Sequence, residues 1–287
     1  MSFSNYGELC TEVYDLTKTI GQSFGGDVEY YREKLKHCKG RILEAMVGSG
    51  RVIIPLLESG LIVDGVDYSP QMLDSCRSRC DERGLTPNLY EANLQELSLP
   101  HKYEAIIIPG GSFLLIEQRE ESLRALKRLY EHLKPGGQLF LDLFLPDNNY
   151  NSSELGRWDG SAIYHLPNGD IITMEGKCVE ADLFFNQYRV SYLKYEKWRN
   201  GALVQTELQR FALRWYGVEE FKYILESIGF SNVKVCADFE DGKKPTSGNQ
   251  KIVYQASKLL ITTLAYFTVR GGCYAIRQDS FNMFVII

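Results

Sequence analysis

From Arg41 onward the chain alternates short apolar runs with longer stretches whose apolar residues recur every three or four positions. That alternation is what a parallel sheet covered by helices on both faces requires. Ile42 and Leu43 read as a first strand. Residues 49–58 read as a helix, with Val52, Ile53, Leu56 and Leu57 inward and Gly60 as its stop, although Pro55 lies deep within it. Residues 61–66 form the next strand. Ser69 then caps a helix that carries Pro70 at its first position, where a missing N–H is harmless, and that runs to Gly84. Leu89 and Tyr90 begin a third strand and residues 103–108 a fourth. Leu123, Leu126, Leu129 and Leu133 mark one helix face, and Lys134-Pro135-Gly136-Gly137 imposes a turn. Residues 138–145 are almost continuously apolar, as in a central strand buried on both faces, and Asp142 is the exception.

Past this strand the pattern changes. Residues 158–214 alternate in aromatic-rich segments around tight turns at 165–170 and 199–201, the signature of antiparallel strands. A helix at 218–228 with Phe221, Ile224, Leu225 and Ile228 on one side follows, and two strands near 233–237 and 251–256 read as a hairpin finishing the sheet. The expected organisation is α/β: a doubly wound, Rossmann-like, mostly parallel seven-stranded sheet with a small antiparallel sheet inserted. Residues 1–39 would form an N-terminal helical cap, 40–150 and 215–257 the α/β domain, 151–214 the insertion over the acceptor side, and 258–287 a tail of unassigned role.

Composition excludes several classes. A net charge of -5 with scattered basic residues leaves no footprint for nucleic acid. The first residues carry polar and acidic groups where a secretory signal would be basic and then apolar, so a cytoplasmic location and no membrane partner are expected. The seven cysteines include no Cys-x-x-Cys pair, and reduced thiols are the expectation. Cys76 and Cys80 lie one helical turn apart but continue the apolar stripe of Met72 and Leu73, which points to core packing and to no metal.

The informative unit is Ile42-Leu43-Glu44-Ala45-Met46-Val47-Gly48-Ser49-Gly50: a strand ending in an acid, a loop of small residues, then a helix start. Glycines there let a ligand approach the backbone, and the free N–H groups of a helix start favour an electron-rich group. Asp67 closes the second strand, 23 residues after Glu44. A carboxylate at that place can accept from both hydroxyls of a ribose.

These segments resemble the class I S-adenosylmethionine (SAM)-dependent methyltransferases over residues 40–145 and more loosely to 257. The resemblance rests on Leu43-Glu44-x-x-x-Gly48-Ser49-Gly50, on residues 63–73 (Val-Asp-Gly-Val-Asp-Tyr-Ser-Pro-Gln-Met-Leu), on Leu133-Lys134-Pro135-Gly136-Gly137, and on Gly217-Val218-Glu219-Glu220-Phe221 before a helix ending at Gly229-Phe230. It implies SAM as cofactor and a small molecule as methyl acceptor. It also implies that Glu44, Ala45, Gly48 and Gly50 hold the methionine end of SAM and that Asp67 holds the ribose. Tyr68 and Met72 would flank the adenine, Asn93 beside Leu94 would take its amino group, and Pro109 and Gly110 would line the donor pocket. Tyr14 and Tyr30 correspond to the aromatic cover such enzymes place over SAM. Met46 departs from the family by standing at its first loop glycine, so its side chain must point away or shift the ligand.

Methyl transfer to nitrogen or oxygen is an in-line displacement that mainly needs alignment in a dry site. If the acceptor needs a base, His165, Tyr164 and Tyr216 are the candidates nearest the expected cleft. Two other functions share the acid-and-ribose logic: an NAD-dependent oxidoreductase, for which the third glycine of Gly-x-Gly-x-x-Gly is missing, and a module that binds SAM without catalysis.

Overall fold

The computed structural model describes residues 5–146 and 155–260 together with the backbone of 263–269, 272–279 and 282–286. Two helices, α1 (Glu8–Thr17) and α2 (Asp27–Leu35), precede an alternating series: β1 (Ile42–Ala45), α3 (Ile53–Glu58), β2 (Val63–Asp67), α4 (Pro70–Asp81), β3 (Leu89–Glu91), β4 (Tyr103–Ile108), α5 (Arg119–His132) and β5 (Leu133–Phe144). Four long strands follow, β6 (Asp159–His165), β7 (Ile171–Asp182), β8 (Tyr188–Arg199) and β9 (Ala202–Arg214). Then come α6 (Val218–Ile228), β10 (Phe230–Ala237) and β11 (Lys251–Lys258).

The main sheet has seven strands in the order β10-β11-β5-β4-β1-β2-β3. β1 pairs in parallel with both β2 and β4, β4 with β5 and β2 with β3, while β10 and β11 close one edge antiparallel. The chain therefore winds outward in both directions from β1 and β4, and the crevice at the carboxyl ends of these two strands is where such sheets bind ligands. Leu43, Ile106 and Leu141 pack on one face with α5 and α6; Ile42, Ile107 and Phe140 pack on the other with α2, α3 and α4. Cys76 and Cys80 belong to this second core.

Two local expectations change. The helix after β1, α3, begins at Ile53 rather than at residue 49, because Gly48 and Gly50 take positive φ values of +56° and +94° that a right-handed helix cannot use. The Lys134-to-Gly137 turn is absorbed into β5 as an irregularity: Tyr103 pairs with Leu133 but Ala105 with Gln138, and Gly136 sits at φ +79°. Other local signals act as read. The Ser69 hydroxyl accepts from the Met72 N–H at 3.1 Å with Pro70 at the helix start, and Gly229 ends α6 at φ +115°.

β6 to β9 form a separate four-stranded antiparallel sheet in sequential order. It packs on α1 through a third, smaller core of Leu9, Cys10, Val13, Ile172 and Tyr195. Glu207 of β9 accepts from the Leu9 N–H at 2.9 Å, the start of α1, and Lys197 of β8 pairs with Glu12 at 2.8 Å. Residues 151–154, where the insertion is expected to begin, lie outside the described residues. Beyond Lys258 the backbone makes a three-stranded meander, β12 (Thr263–Val269), β13 (Gly272–Asp279) and β14 (Asn282–Ile286), whose strands pair with one another. The described residues include no helix long and apolar enough to cross a membrane.

Candidate functional site

A cleft of about 680 Å³ opens at the carboxyl ends of β1, β2, β4 and β5, with α1 and β9 along its other side. That volume lies within the range of small-molecule and cofactor sites. Its floor is set by the loop after β1. Glu44, in β1 just before this loop, is only 2% exposed, and its Oε2 is buried without a hydrogen-bond partner among the described residues. Burial pushes its carboxyl well above the usual carboxylate range; Arg51 opposes the shift and Asp27 and Asp67 reinforce it.

Met46 resolves the departure from the family pattern by taking the backbone conformation of a glycine, φ +60°, while its side chain packs against the main core and borders the cleft. A non-glycine residue held there stores on the order of 1 kcal/mol or more of backbone strain. Gly48, at φ +56°, also lines the cleft, and a Cβ on it would come to 4.0 Å from the Tyr14 hydroxyl. Gly50 serves a different purpose. A Cβ there would meet Cys76 Sγ and Ile54 at 3.0 Å, so this glycine lets the loop close onto α3 and α4 and does not form the cleft wall.

Asp67 is fixed by the backbone on either side: its Oδ2 accepts from the Gly48 N–H at 2.9 Å and its Oδ1 from the Ser69 N–H at 2.9 Å. Burial raises its pKa, and the N–H groups of Ser69, Gly48 and Tyr68 hold the shift back. Each oxygen keeps further acceptor capacity. Tyr68, Met72, Asn93, Leu94, Pro109 and Gly110 all line the same cleft, as does Tyr14 from α1.

Several expected residues fall elsewhere. Tyr30 turns away from the cleft and packs on Phe239, ring centroids 5.6 Å apart, because α2 uses that face to cover the β10–β11 end of the sheet. Ala45 is wholly buried in the sheet core. Of the three base candidates, His165 is exposed at the end of β6, and Tyr164 packs beside α1. Tyr216 donates to the Ser122 hydroxyl at 2.6 Å within the core. None of the three borders the cleft; the antiparallel pleat and the α1 contact set the directions of Tyr164 and His165, and packing on Ser122 and Phe221 holds Tyr216.

The structure adds residues that sequence reading missed. Arg51, 5% exposed, forms a two-pronged pair with Asp27 of α2 at 2.5 and 3.1 Å, donates to the Gln22 carbonyl at 2.7 Å, and lies 4.2 Å from the Phe24 ring centroid. Asp142 of β5 accepts at Oδ1 from the Tyr31 hydroxyl at 2.6 Å and from the Gly110 N–H at 2.9 Å. On the opposite wall Arg210 of β9 grips Glu117 through two hydrogen bonds of 2.7 and 2.9 Å. Asp142 had a signal, a lone carboxylate in an apolar strand; Arg51 and Asp27 had none, since their pairing spans 24 residues. Among the described residues no group of three or more His, Cys, Asp or Glu side chains is placed to hold a metal.

Residues 42–137 match the family described as a methyltransferase domain. The chain is 32% identical over 140 residues to the demethylmenaquinone methyltransferase of Thermus thermophilus, covering 46% of this chain and 61% of that protein. It is 26% identical over 213 residues to the glycine/sarcosine N-methyltransferase of Halorhodospira halochloris, covering 74% and 73%. The sugar N-methyltransferase KedS8 from a Streptoalloteichus species has the same fold, with a TM-score of 0.65, 19% identity and coverage of 90% of this chain and 97% of that one. Strand order, the acid-and-glycine loop, the aspartate that closes β2 and these likenesses agree, and residues 42–137 are similar to a methyltransferase domain.

Proposed function

We propose that this enzyme moves the methyl group of SAM to a nitrogen or oxygen atom of a small molecule held between the sheet edge and the inserted β6–β9 layer. The observation that carries the reading is the unpartnered Glu44 Oε2, buried in the same cleft as Asp67. A buried carboxylate oxygen without a donor is costly, and the ammonium of a methionine chain is a donor of matching charge. Asp67, already oriented by Gly48 and Ser69, is suited to accept from a ribose diol. Tyr68 and Met72 would border the adenine, with Asn93 and Leu94 at its edge, and Gly48 would leave room for the backbone approach. Pro109 and Gly110 would flank the donor group, and Tyr14 would cover it from α1.

Bound SAM supplies an activated methyl on a sulfonium. The protein's task is then to orient and to exclude water, and α1 with the inserted sheet is placed to do both. The likenesses to enzymes named for sugar, glycine/sarcosine and demethylmenaquinone substrates support a small-molecule acceptor. Calorimetry with SAM, S-adenosylhomocysteine (SAH) and NAD should give binding of the first two alone. Radiolabelled methyl transfer over a panel of amines and alcohols should then give turnover. Binding of NAD in place of SAM would sink the reading, and SAM binding without turnover would reduce it to a binding module.

A further inference from the structure

We propose that Asp142 is the group that receives the acceptor's proton, and that the acceptor is therefore an amine entering as an ammonium ion; this rests on the methyl-transfer reading above. Asp142 sits on the cleft wall, and its Oδ1 is taken by Tyr31 and Gly110 while Oδ2 has no hydrogen bond among the described residues. Strand register fixes its place. Glu44 pairs with Ile107 and Ile107 with Phe140, so Asp142 lies on the same sheet face as Glu44 but two residues, about 7 Å, nearer the carboxyl edge. It therefore stands beyond the methionine end, on the acceptor's path.

The other charges on this side are engaged. Arg210 and Glu117 satisfy each other, Glu121 faces Arg124 at 3.7 Å, and Lys251 lies 4.8 Å over the Phe144 ring. The remaining free acceptor is anionic and buried, which favours a cationic group on the incoming molecule. Tyr31 and Asp27 face Asp142 from α2, the Gly110 N–H from the β4 end, and Lys251 from β11. Burial and Asp27 raise its pKa to about 6, against the pull of Tyr31, Gly110 and Lys251. A carboxylate so poised can hold a proton transiently near neutral pH. The amine's N–H bond breaks and its proton passes to Oδ2. The freed lone pair forms the new N–C bond as the C–S bond gives its electron pair to sulfur, and the proton leaves Oδ2 for solvent with the products.

The test uses the full chain saturated with SAH and labelled with carboxyl-13C aspartate, read by NMR against pH. A resonance missing from Asp142→Asn should titrate near pH 6. Methylammonium chloride should lower that midpoint by about one pH unit, the effect of an opposite charge within contact range; sodium chloride and methanol should leave it in place. If Asp142→Asn does not fold, Tyr31→Phe makes the assignment, since loss of its hydroxyl must raise the midpoint of this resonance. Tight SAH binding with an Asp142 signal indifferent to methylammonium overturns the inference alone. So does a shift of that size on adding SAH itself, which would give the carboxylate to the cofactor. Failure of SAH to bind would overturn the methyl-transfer reading and this inference with it.

Discussion

The floor and the roof of the cleft are built on opposite physical terms. The floor, from the ends of β1, β2, β4 and β5, holds Glu44, Asp27, Arg51 and Asp142 almost without solvent, each charge answered by a neighbour or awaiting one. The roof, β6–β9, is half-buried along most of its length, with Phe184 and Phe185 at one turn each 89% exposed, and its ion pairs face water on one side. Charges in a low-dielectric floor interact strongly and tolerate little change, whereas those of a wet roof are screened. The proposed function divides along the same line, with the cofactor on the buried floor and the acceptor against the wetter roof.

The largest expected effect lies in the floor. Asp27→Ala would strand the Arg51 guanidinium in a site where it is 5% exposed, and removing one partner of a buried pair costs about 3 to 5 kcal/mol. Urea unfolding should show it. A loss below about 1 kcal/mol would mean that the floor is as wet as the roof, and the contrast would fail.

Next is the pH dependence of the Asp142 carboxyl. Its folded pKa is raised from 3.8 to about 6, so the folded protein binds this proton more tightly than the unfolded chain does. The stability gained from the protonated form is full below about pH 4 and is lost as pH rises through 6, a difference of roughly 3 kcal/mol. Asp142→Asn should remove that slope, gaining on the wild type from pH 4 to 6 and holding a constant margin above. Parallel stability curves for the two proteins would refute the assignment.

Asp67→Ala tests binding rather than folding. Loss of a charged acceptor for two hydroxyls is worth about 1.5 to 3 kcal/mol, so SAM affinity should fall roughly tenfold or more by calorimetry. Unchanged affinity in a folded variant would remove Asp67 from the cofactor site.

The same contrast explains what could be read without coordinates. Strands buried on both faces write themselves as apolar runs, and a glycine loop between two acids is local in sequence; hence the seven-stranded, mostly parallel sheet was legible, as was the grouping of Glu44, Gly48 and Asp67 along one cleft. Gly50 was misread because a glycine needed for packing against Cys76 and Ile54 looks the same as one needed for a ligand. Tyr30 and Tyr31 are adjacent, and only the rotation of α2 decides that Tyr31 reaches Asp142 while Tyr30 faces Phe239. In the roof, alternation announces a sheet but not which face meets the cleft. That choice was made by α1, through Leu9, Cys10 and Val13, and it carried Tyr164 and His165 away from the site.

The smallest effect should come from the bidentate contact between Arg210 of the roof and Glu117 in the cleft wall. Arg210 and Glu117 are 32% and 25% exposed, so water shares their charges and the pair should contribute no more than about 1 kcal/mol to stability. Arg210→Ala also shortens a side chain on the acceptor wall without touching the Glu44–Asp67 end of the cleft. The expected result is a near-native unfolding midpoint, SAM affinity unchanged within about twofold, which is less than half a kcal/mol, and weaker use of the acceptor, seen as a raised KM at similar kcat. Removing the fork exposes Glu117 to the acceptor, so an ammonium-bearing acceptor should suffer less than an anionic one. A tenfold loss of SAM affinity instead would show that the roof organises the cofactor floor, and the division between the two halves would have to be abandoned.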